Sequence, residues 1–400
     1  MKQILALLLA LIFQASAFAE DSPGELYEKT LLETIKQIQS LNHDEALDST
    51  RDLIRQYPHS KLGQMLYADL LLAKAEPLTQ IGSGIETGSA LQDFQYEIKQ
   101  RWQHESSPAH QAKLPQNILY LADDQPYAIL VDQLNSRIYV YRNVNGEPVL
   151  ETDYFTTIGL KGYGKQRRGD QKTPIGIYHV TRYIDGQQLP DLYGEGAFPI
   201  NYPNTWDRRM KRTGDGIWIH GTPSHTYNRS PWASDGCIVV SNPDFLHIGE
   251  YIDADINTPV IVAKQVNWIS RDDWLEQREN AMKLMTNWLD DWESLNHDRY
   301  RSHYSRTELN ASGRAFKAWD AYKRRVNSNK SHVQVEYQNL SIFTYPGEEN
   351  LLLMQYDQKY RSSNINVDSS KEIFWRKSDT SWQIVHEGNR KLPPTRLAKK

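Results

Sequence analysis

A single cysteine in 400 residues is the strongest constraint on this chain. Cys237 has no partner for an intramolecular disulfide, so packed apolar side chains and hydrogen bonds must hold every element of the fold. The length is enough for two or three such cores. The N-terminus adds to that demand. Met1-Lys2 precedes an apolar stretch from Ile4 to Phe13 and then Ala15-Ser16-Ala17-Phe18-Ala19. A positive start, a short apolar core and a small-x-small end are the parts of a secretory signal peptide, here residues 1–19. The stretch is shorter than the roughly 20 residues that span a bilayer. The mature chain is therefore expected in the periplasm, where it forgoes disulfides although they could form. A net charge of −4 argues against nucleic acid as the main partner.

Hydrophobic periodicity divides the rest. Leu26, Thr30, Leu31, Ile35 and Ile38 recur at helical spacing. Ala46, Leu47, Leu53 and Ile54 form a second helical run that stops at Tyr57-Pro58, and Leu62, Leu66, Leu70 and Leu71 form a third. Residues 20–115 thus read as a helical segment, similar to a tetratricopeptide-type hairpin array over little more than one repeat. The alternative is a helical bundle packed on the next domain. Residues 80–116, polar and mixed, read as a connection. This segment is expected to serve localisation or solubility more than chemistry.

From Pro126 the period changes to strands. Tyr127 to Asp132 and Arg137 to Tyr141 flank a polar turn, and short β-rich runs continue to Val262. The pattern predicts a mostly-β domain over 126–263. Helical spacing returns from Arg271 to Leu295 and near Ser312 to Asn327, followed by four strands between His332 and His386. The whole reads as a multidomain α+β chain, with the last unit, 271–390, an α+β cone-like domain.

The chemistry concentrates in two short runs. His220-Gly221-Thr222 ends a strand, and Ser234-Asp235-Gly236-Cys237-Ile238 follows. A thiol behind a glycine, with a histidine held on a strand, reads as a nucleophile and its base. Ser234 is placed to brace the loop, and the amides around Gly236 and Cys237 to hold an oxyanion. Such a centre performs acyl transfer through a thioester. A zinc site from His220, His225, Asp235 and Cys237 fits by residue type, but the spacing matches no common framework.

At these residues the sequence resembles the L,D-transpeptidase catalytic-domain (YkuD-type) family, whose pattern is His-Gly and then Ser-x-Gly-Cys. The upstream run Gly169-Asp170-Gln171-Lys172-Thr173-Pro174-Ile175-Gly176-Ile177-Tyr178 resembles the family's second motif. The resemblance implies Cys237 as nucleophile, His220 as base, the Gly221 carbonyl as its orienting partner, and peptidoglycan stem peptides as substrate. It implies no metal or organic cofactor. The chain departs from the family at Val239, where an arginine is common, and at Asp235, where a histidine is frequent. Arg167, Arg168, Arg208, Arg209, Lys211 and Arg229 are candidate replacements for carboxylate binding, and Tyr178 is a further candidate substrate contact. The C-terminal unit resembles a nuclear-transport-factor-two-like module, as in the cell-shape-determining carboxypeptidase branch. These resemblances imply a transpeptidase, or alternatively an L,D-carboxypeptidase trimming tetrapeptides, with the outer domains available to other envelope proteins. A third reading, a non-catalytic wall-associated scaffold, is opposed by the intact His220, Ser234, Gly236 and Cys237.

Overall fold

The computed structural model describes residues 23–75, 82, 89–106, 112–378 and 381–390. The expected signal peptide and the basic tail from Leu392 lie outside them. Helices α1 (Pro23–Gln39), α2 (His43–Gln56), α3 (Lys61–Leu72) and α4 (Ser89–Ser106) open the chain. α2 stops ahead of Pro58, because a proline disfavours helical backbone in the residue before it. Ser60 then caps α3 by accepting the Gly63 N–H at 3.0 Å. Tyr27, Leu31, Ile35, Leu53, Leu62 and Leu66 form their common core.

α4 is a departure from the expected connection. Leu91, Phe94, Ile98 and Trp102 do follow helical spacing. Its buried face, however, also carries Glu97, Gln100 and Arg101, which dilute the apolar signal. The fold pairs these charges. Arg101 meets Glu97 at 2.9 Å and also Glu28 of α1, and Glu28 meets Arg137 of the next domain at 2.6 Å.

The central domain is a β-sandwich. One sheet contains β1 (Tyr127–Asp132), β2 (Arg137–Val144), β3 (Glu147–Phe155), β4 (Gly176–His179) and, later in the chain, Pro259–Ala263, in the order β3-β2-β1-(Pro259–Ala263)-β4. The second contains β5 (Gly196–Pro199), β6 (Trp218–His220) and β7 (Ile238–Val239), with β6 between the other two. Helix α5 (Thr205–Arg209) precedes β6, and α6 (Asn242–Gly249) follows β7. Ile129, Val131, Ile138 and Val140 of the first sheet meet Phe198, Ile219, Ile238 and Val240 of the second. The alternate residues of the first sheet, Ala128, Leu130, Tyr139 and Tyr141, are buried too, but in a different core. Burial on both faces explains why Ala128 to Val131 reads as a continuous apolar run rather than an alternating one.

That second core joins the central domain to the last one. Helices α7 (Arg271–Glu293), α8 (His297–Ser302) and α9 (Phe316–Asn327) pack on β8 (Val333–Thr344), β9 (Leu351–Ser362), β10 (Asn366–Lys377) and β11 (Trp382–Asn389), which form a sequential antiparallel sheet. Trp274, Trp288, Trp292, Trp319 and Trp375 are core residues of this domain. Phe343, Tyr345, Leu353, Phe374 and Val385 reach across to Ile177 and Trp206. Among the described residues no helix is long and apolar enough to cross a membrane.

Candidate active site

β6 and β7 are parallel neighbours, with Ile238 opposite Ile219 and Val239 opposite His220. Side chains alternate along a strand. Ile219, Ile238 and Val240 therefore enter the sandwich core. His220 and Trp218 take the other face, beside Cys237, which directly precedes β7. The pattern of the two strands thus puts thiol and imidazole on one face of the sheet, though seventeen residues separate them in sequence.

The imidazole is oriented by its own chain. His220 Nδ1 lies 2.7 Å from the Gly221 carbonyl oxygen. A carbonyl can only accept, so Nδ1 carries the proton and Nε2 keeps its lone pair. Burial pulls His220 down to about 4, opposed by the Gly221 hydrogen bond and reinforced by the Arg229 charge. The ring of Tyr193 stands edge-on to His220 at 5.0 Å and leans on Trp218 at 4.8 Å. Asn242 fixes the strand end by accepting the Thr222 N–H at 3.0 Å and the Glu195 N–H at 3.2 Å. A Cβ on Gly221 would stand 2.1 Å from the same Asn242 oxygen, so a side chain there would push Asn242 off both amides.

The thiol is half-buried and donates to the Gly216 carbonyl at 3.4 Å. Burial pushes it up to about 11, while the Trp218 N–H pointing at the sulfur and the charges of Lys165 and Arg229 pull the other way. Both members of the pair are therefore neutral at rest. Ser234 closes the turn before Cys237: its hydroxyl accepts the Gly236 N–H at 3.1 Å and donates to the Cys237 carbonyl at 2.7 Å. Gly236 has φ +118°, and a Cβ there would meet the Lys172 carbonyl at 2.7 Å.

This geometry revises the oxyanion assignment. The Gly236 amide is engaged by Ser234, whereas the Cys237 amide has no hydrogen-bond partner among the described residues. The second motif is a support. Thr173 accepts the Gly159 N–H at 2.9 Å and donates to the Gly236 carbonyl at 3.0 Å. Asp170 binds Lys165 at 2.7 Å and accepts the Gln166, Arg167 and Lys172 amides. Despite its burial, these donors hold its carboxyl down at about 2.

Tyr178 is fully buried, and its hydroxyl donates to Asp207 at 3.1 Å. The structure also sorts the basic candidates. Arg168 pairs with Asp215 on the surface, and Arg167 is exposed. Arg208 caps its own helix region through Thr205, and Arg209 donates to Glu308 and Val385 of the last domain. Lys211 is exposed. Of the six, only Arg229 bears electrostatically on both His220 and Cys237. Tyr193 and Lys165 were not legible in the sequence, since neither sits in a motif that marks it. His225 faces Asp191 at 3.7 Å in the open, away from any cluster. Among the described residues no group of three or more His, Cys, Asp or Glu is arranged to hold a metal.

Comparison with known proteins agrees with this architecture. Residues 126–262 match the model of the L,D-transpeptidase catalytic domain, and residues 280–388 that of the Cds6 C-terminal NTF2-like domain. The structure of Bd1075 from Bdellovibrio bacteriovorus superposes with a TM-score of 0.62 at 27% identity, covering 70% of this chain and 99% of that one. The helical cell shape determining protein Pgp2 of Campylobacter jejuni shares the fold, with a TM-score of 0.58 at 22% identity over 70% of this chain and 97% of its own. YafK of Escherichia coli, whose name places it among L,D-transpeptidases, is 33% identical over 88 residues. That match spans 22% of this chain and about a third (31%) of YafK. A strand-borne His-Gly beside Ser-x-Gly-Cys and the matched models together mark residues 126–262 as an L,D-transpeptidase (YkuD-type) catalytic domain and residues 280–388 as a Cds6-type NTF2-like domain.

Proposed function

We propose that the protein is an exported, periplasmic cysteine acyltransferase of peptidoglycan, working through a thioester on the stem peptide. The observation that carries this reading is the His220 tautomer: the Gly221 carbonyl holds Nδ1–H, which leaves Nε2 as a base on the face of Cys237. Because thiol and imidazole are both neutral at rest, the proton moves during attack. Nε2 takes the Sγ proton as sulfur adds to the carbonyl at the L-centre of diaminopimelate. The Cys237 N–H faces the oxyanion. The imidazolium then protonates the departing D-alanine amine, and the C–N bond breaks to leave a thioester. An acceptor amine, deprotonated by Nε2, attacks the thioester, forms the new amide and returns the thiol. This is L,D-transpeptidation.

A second reading has water in the acceptor's place, giving tetrapeptide trimming. Val239 favours it: the side chain is buried, and its backbone is bonded to Thr157, so no cation stands there to hold an acceptor's carboxylate. Stem peptides are the partner in both readings.

Intact-mass spectrometry of the mature protein with a carbapenem, and then with a disaccharide tetrapeptide, tests the proposal. Wild type is expected to gain a covalent adduct that Cys237→Ala lacks, and His220→Ala to react at least 100-fold more slowly. Cross-linked products indicate an amine acceptor, and shortened stems alone indicate water. An adduct on Cys237→Ala, or turnover by it, overturns the mechanism.

A further inference from the structure

A groove of about 400 Å³ that the catalytic domain does not build alone contains Arg229, the cation that acts on both His220 and Cys237. The loop from Pro223 to Ala233 forms one wall. The start of α3 and the middle of α4 form the other, through Leu62, Asp93, Phe94 and Glu97. Asn228 of the loop binds Glu97, and Trp232 leans on Tyr96 at 5.6 Å, so the two walls are tied together. The helical segment thus forms one wall of the groove that holds Arg229.

The groove holds three charged residues with no ion pair among the described residues, Arg229, Lys61 and Asp93. Arg229 is half-buried and makes no ion pair among the described residues; its one hydrogen bond is a long 3.4 Å contact to the Ala233 carbonyl. Asp235, the nearest acid in sequence to Cys237, is tied to Gln171 at 2.9 Å. Lys165, the other cation acting on the thiol, is committed to Asp170. A partly desolvated guanidinium left over in this way suits a carboxylate ligand. Asp93, on the opposite wall, makes no ion pair or hydrogen bond among the described residues. Burial nudges its carboxyl upward, as expected for an anion lacking a counter-charge. Leu62 and Phe94 add apolar surface to the same groove.

We infer that this interdomain groove is the specificity site for the distal, D-configured centre of diaminopimelate. That residue joins two amino-acid centres by three methylenes. With its L-centre carbonyl at Cys237, the methylenes lie along Leu62 and Phe94. The free carboxylate of the far centre meets Arg229, and its ammonium group faces Asp93. Arg229 thereby supplies a cation for the donor stem, and α4 supplies the counter-charge for its amine. The inference rests on the stem-peptide reading proposed above.

The test uses the full mature chain and three disaccharide tetrapeptides: one native, one amidated at the distal carboxylate and one acetylated at the distal amine. Product is followed by mass spectrometry. Wild type is expected to lose roughly tenfold or more in kcat/KM on each modified stem, the scale of a charge-assisted hydrogen bond. Arg229→Gln should abolish the penalty for the amide and keep that for the acetyl group. Asp93→Asn, a change at an exposed residue, should do the converse. Equal rates on all three stems in wild type, or unchanged discrimination in both variants, overturns the inference while leaving stem-peptide turnover intact. Absence of both turnover and carbapenem adduct in folded wild type overturns the underlying reading, and the inference with it.

Discussion

The catalytic domain is flanked by two domains held in opposite ways. The last domain shares an apolar core with it: Ile177 and Trp206 on one side pack against Phe343, Tyr345, Phe374 and Val385 on the other, with Trp206 stacked on Phe374 at 5.0 Å. Polar contacts only frame that core, as where Asn204 donates to the Tyr345 hydroxyl at 2.7 Å and Thr205 to Glu372 at 2.6 Å. The helical domain docks mainly through charge. Glu28 joins Arg101 to Arg137, Arg137 meets Asp153 at 3.2 Å, and His104 meets the same aspartate at 3.0 Å. A small aromatic group, Tyr27, Tyr57 and Tyr227, completes the contact. Apolar burial is non-directional and contributes stability outright, whereas a buried ion pair roughly offsets its own desolvation and fixes geometry instead. The first interface makes one folding unit of two domains. The second holds a wall at a set angle beside the active site.

The largest expected effect is at the apolar interface. Phe374→Ala should cost about 3–5 kcal/mol and lower one cooperative unfolding transition of the catalytic and last domains together, followed by calorimetry. Two transitions, with the catalytic domain unmoved, would break the contrast. Next in size is Glu28→Ala, which removes the bridge between Arg101 and Arg137 and leaves each with one acid, Glu97 and Asp153. Since Glu28 is partly exposed, the cost is about 2 kcal/mol, below that of a fully buried pair. Hydrogen exchange should then quicken in α1 and α4 but not in β8 to β11, and 0.5 M salt should shrink the difference between wild type and variant. Protection lost equally in both regions would sink the idea that the helical domain is separately held. The smallest effect is a predicted lack of change. His220, held down at about 4, is the unprotonated base above that pH. The acid limb of kcat/KM should therefore lie near pH 4, far below the ordinary histidine range, in wild type and in Glu28→Ala alike. Gly221 and Tyr193, rather than α1 to α4, surround the ring. A limb near pH 6.5 in the variant alone would show that the helical domain shields the base.

The sequence was informative where residue type and backbone demand coincide. Cys237, Gly236, Ser234 and His220 are a pattern because only a glycine tolerates the turn at 236 and only a strand end holds the imidazole in place. The strands from Tyr127 to Val262 and the tryptophan-bearing helices were legible through their apolar spacing. What escaped notice depends on contacts distant in sequence. α4 reads as a linker because Glu97 and Arg101 occupy its inner face, and their partners are Asn228 and Glu28. The sequence marks Tyr178 only as a candidate substrate contact, and its bond to Asp207, twenty-nine residues on, shows only in the fold. Six basic residues were indistinguishable in the sequence, and three-dimensional pairing singles out Arg229.

The register of β6 and β7 has a consequence for how such a protein can change over generations. Inserting or deleting one residue inside either strand would turn an isoleucine toward the substrate and bury the imidazole or the thiol. The stretch from Pro223 to Ala233, between two anchored ends, can change length without turning either strand over. Arg229 lies in that stretch. The residues that would select a substrate can thus be altered without shifting the reacting pair.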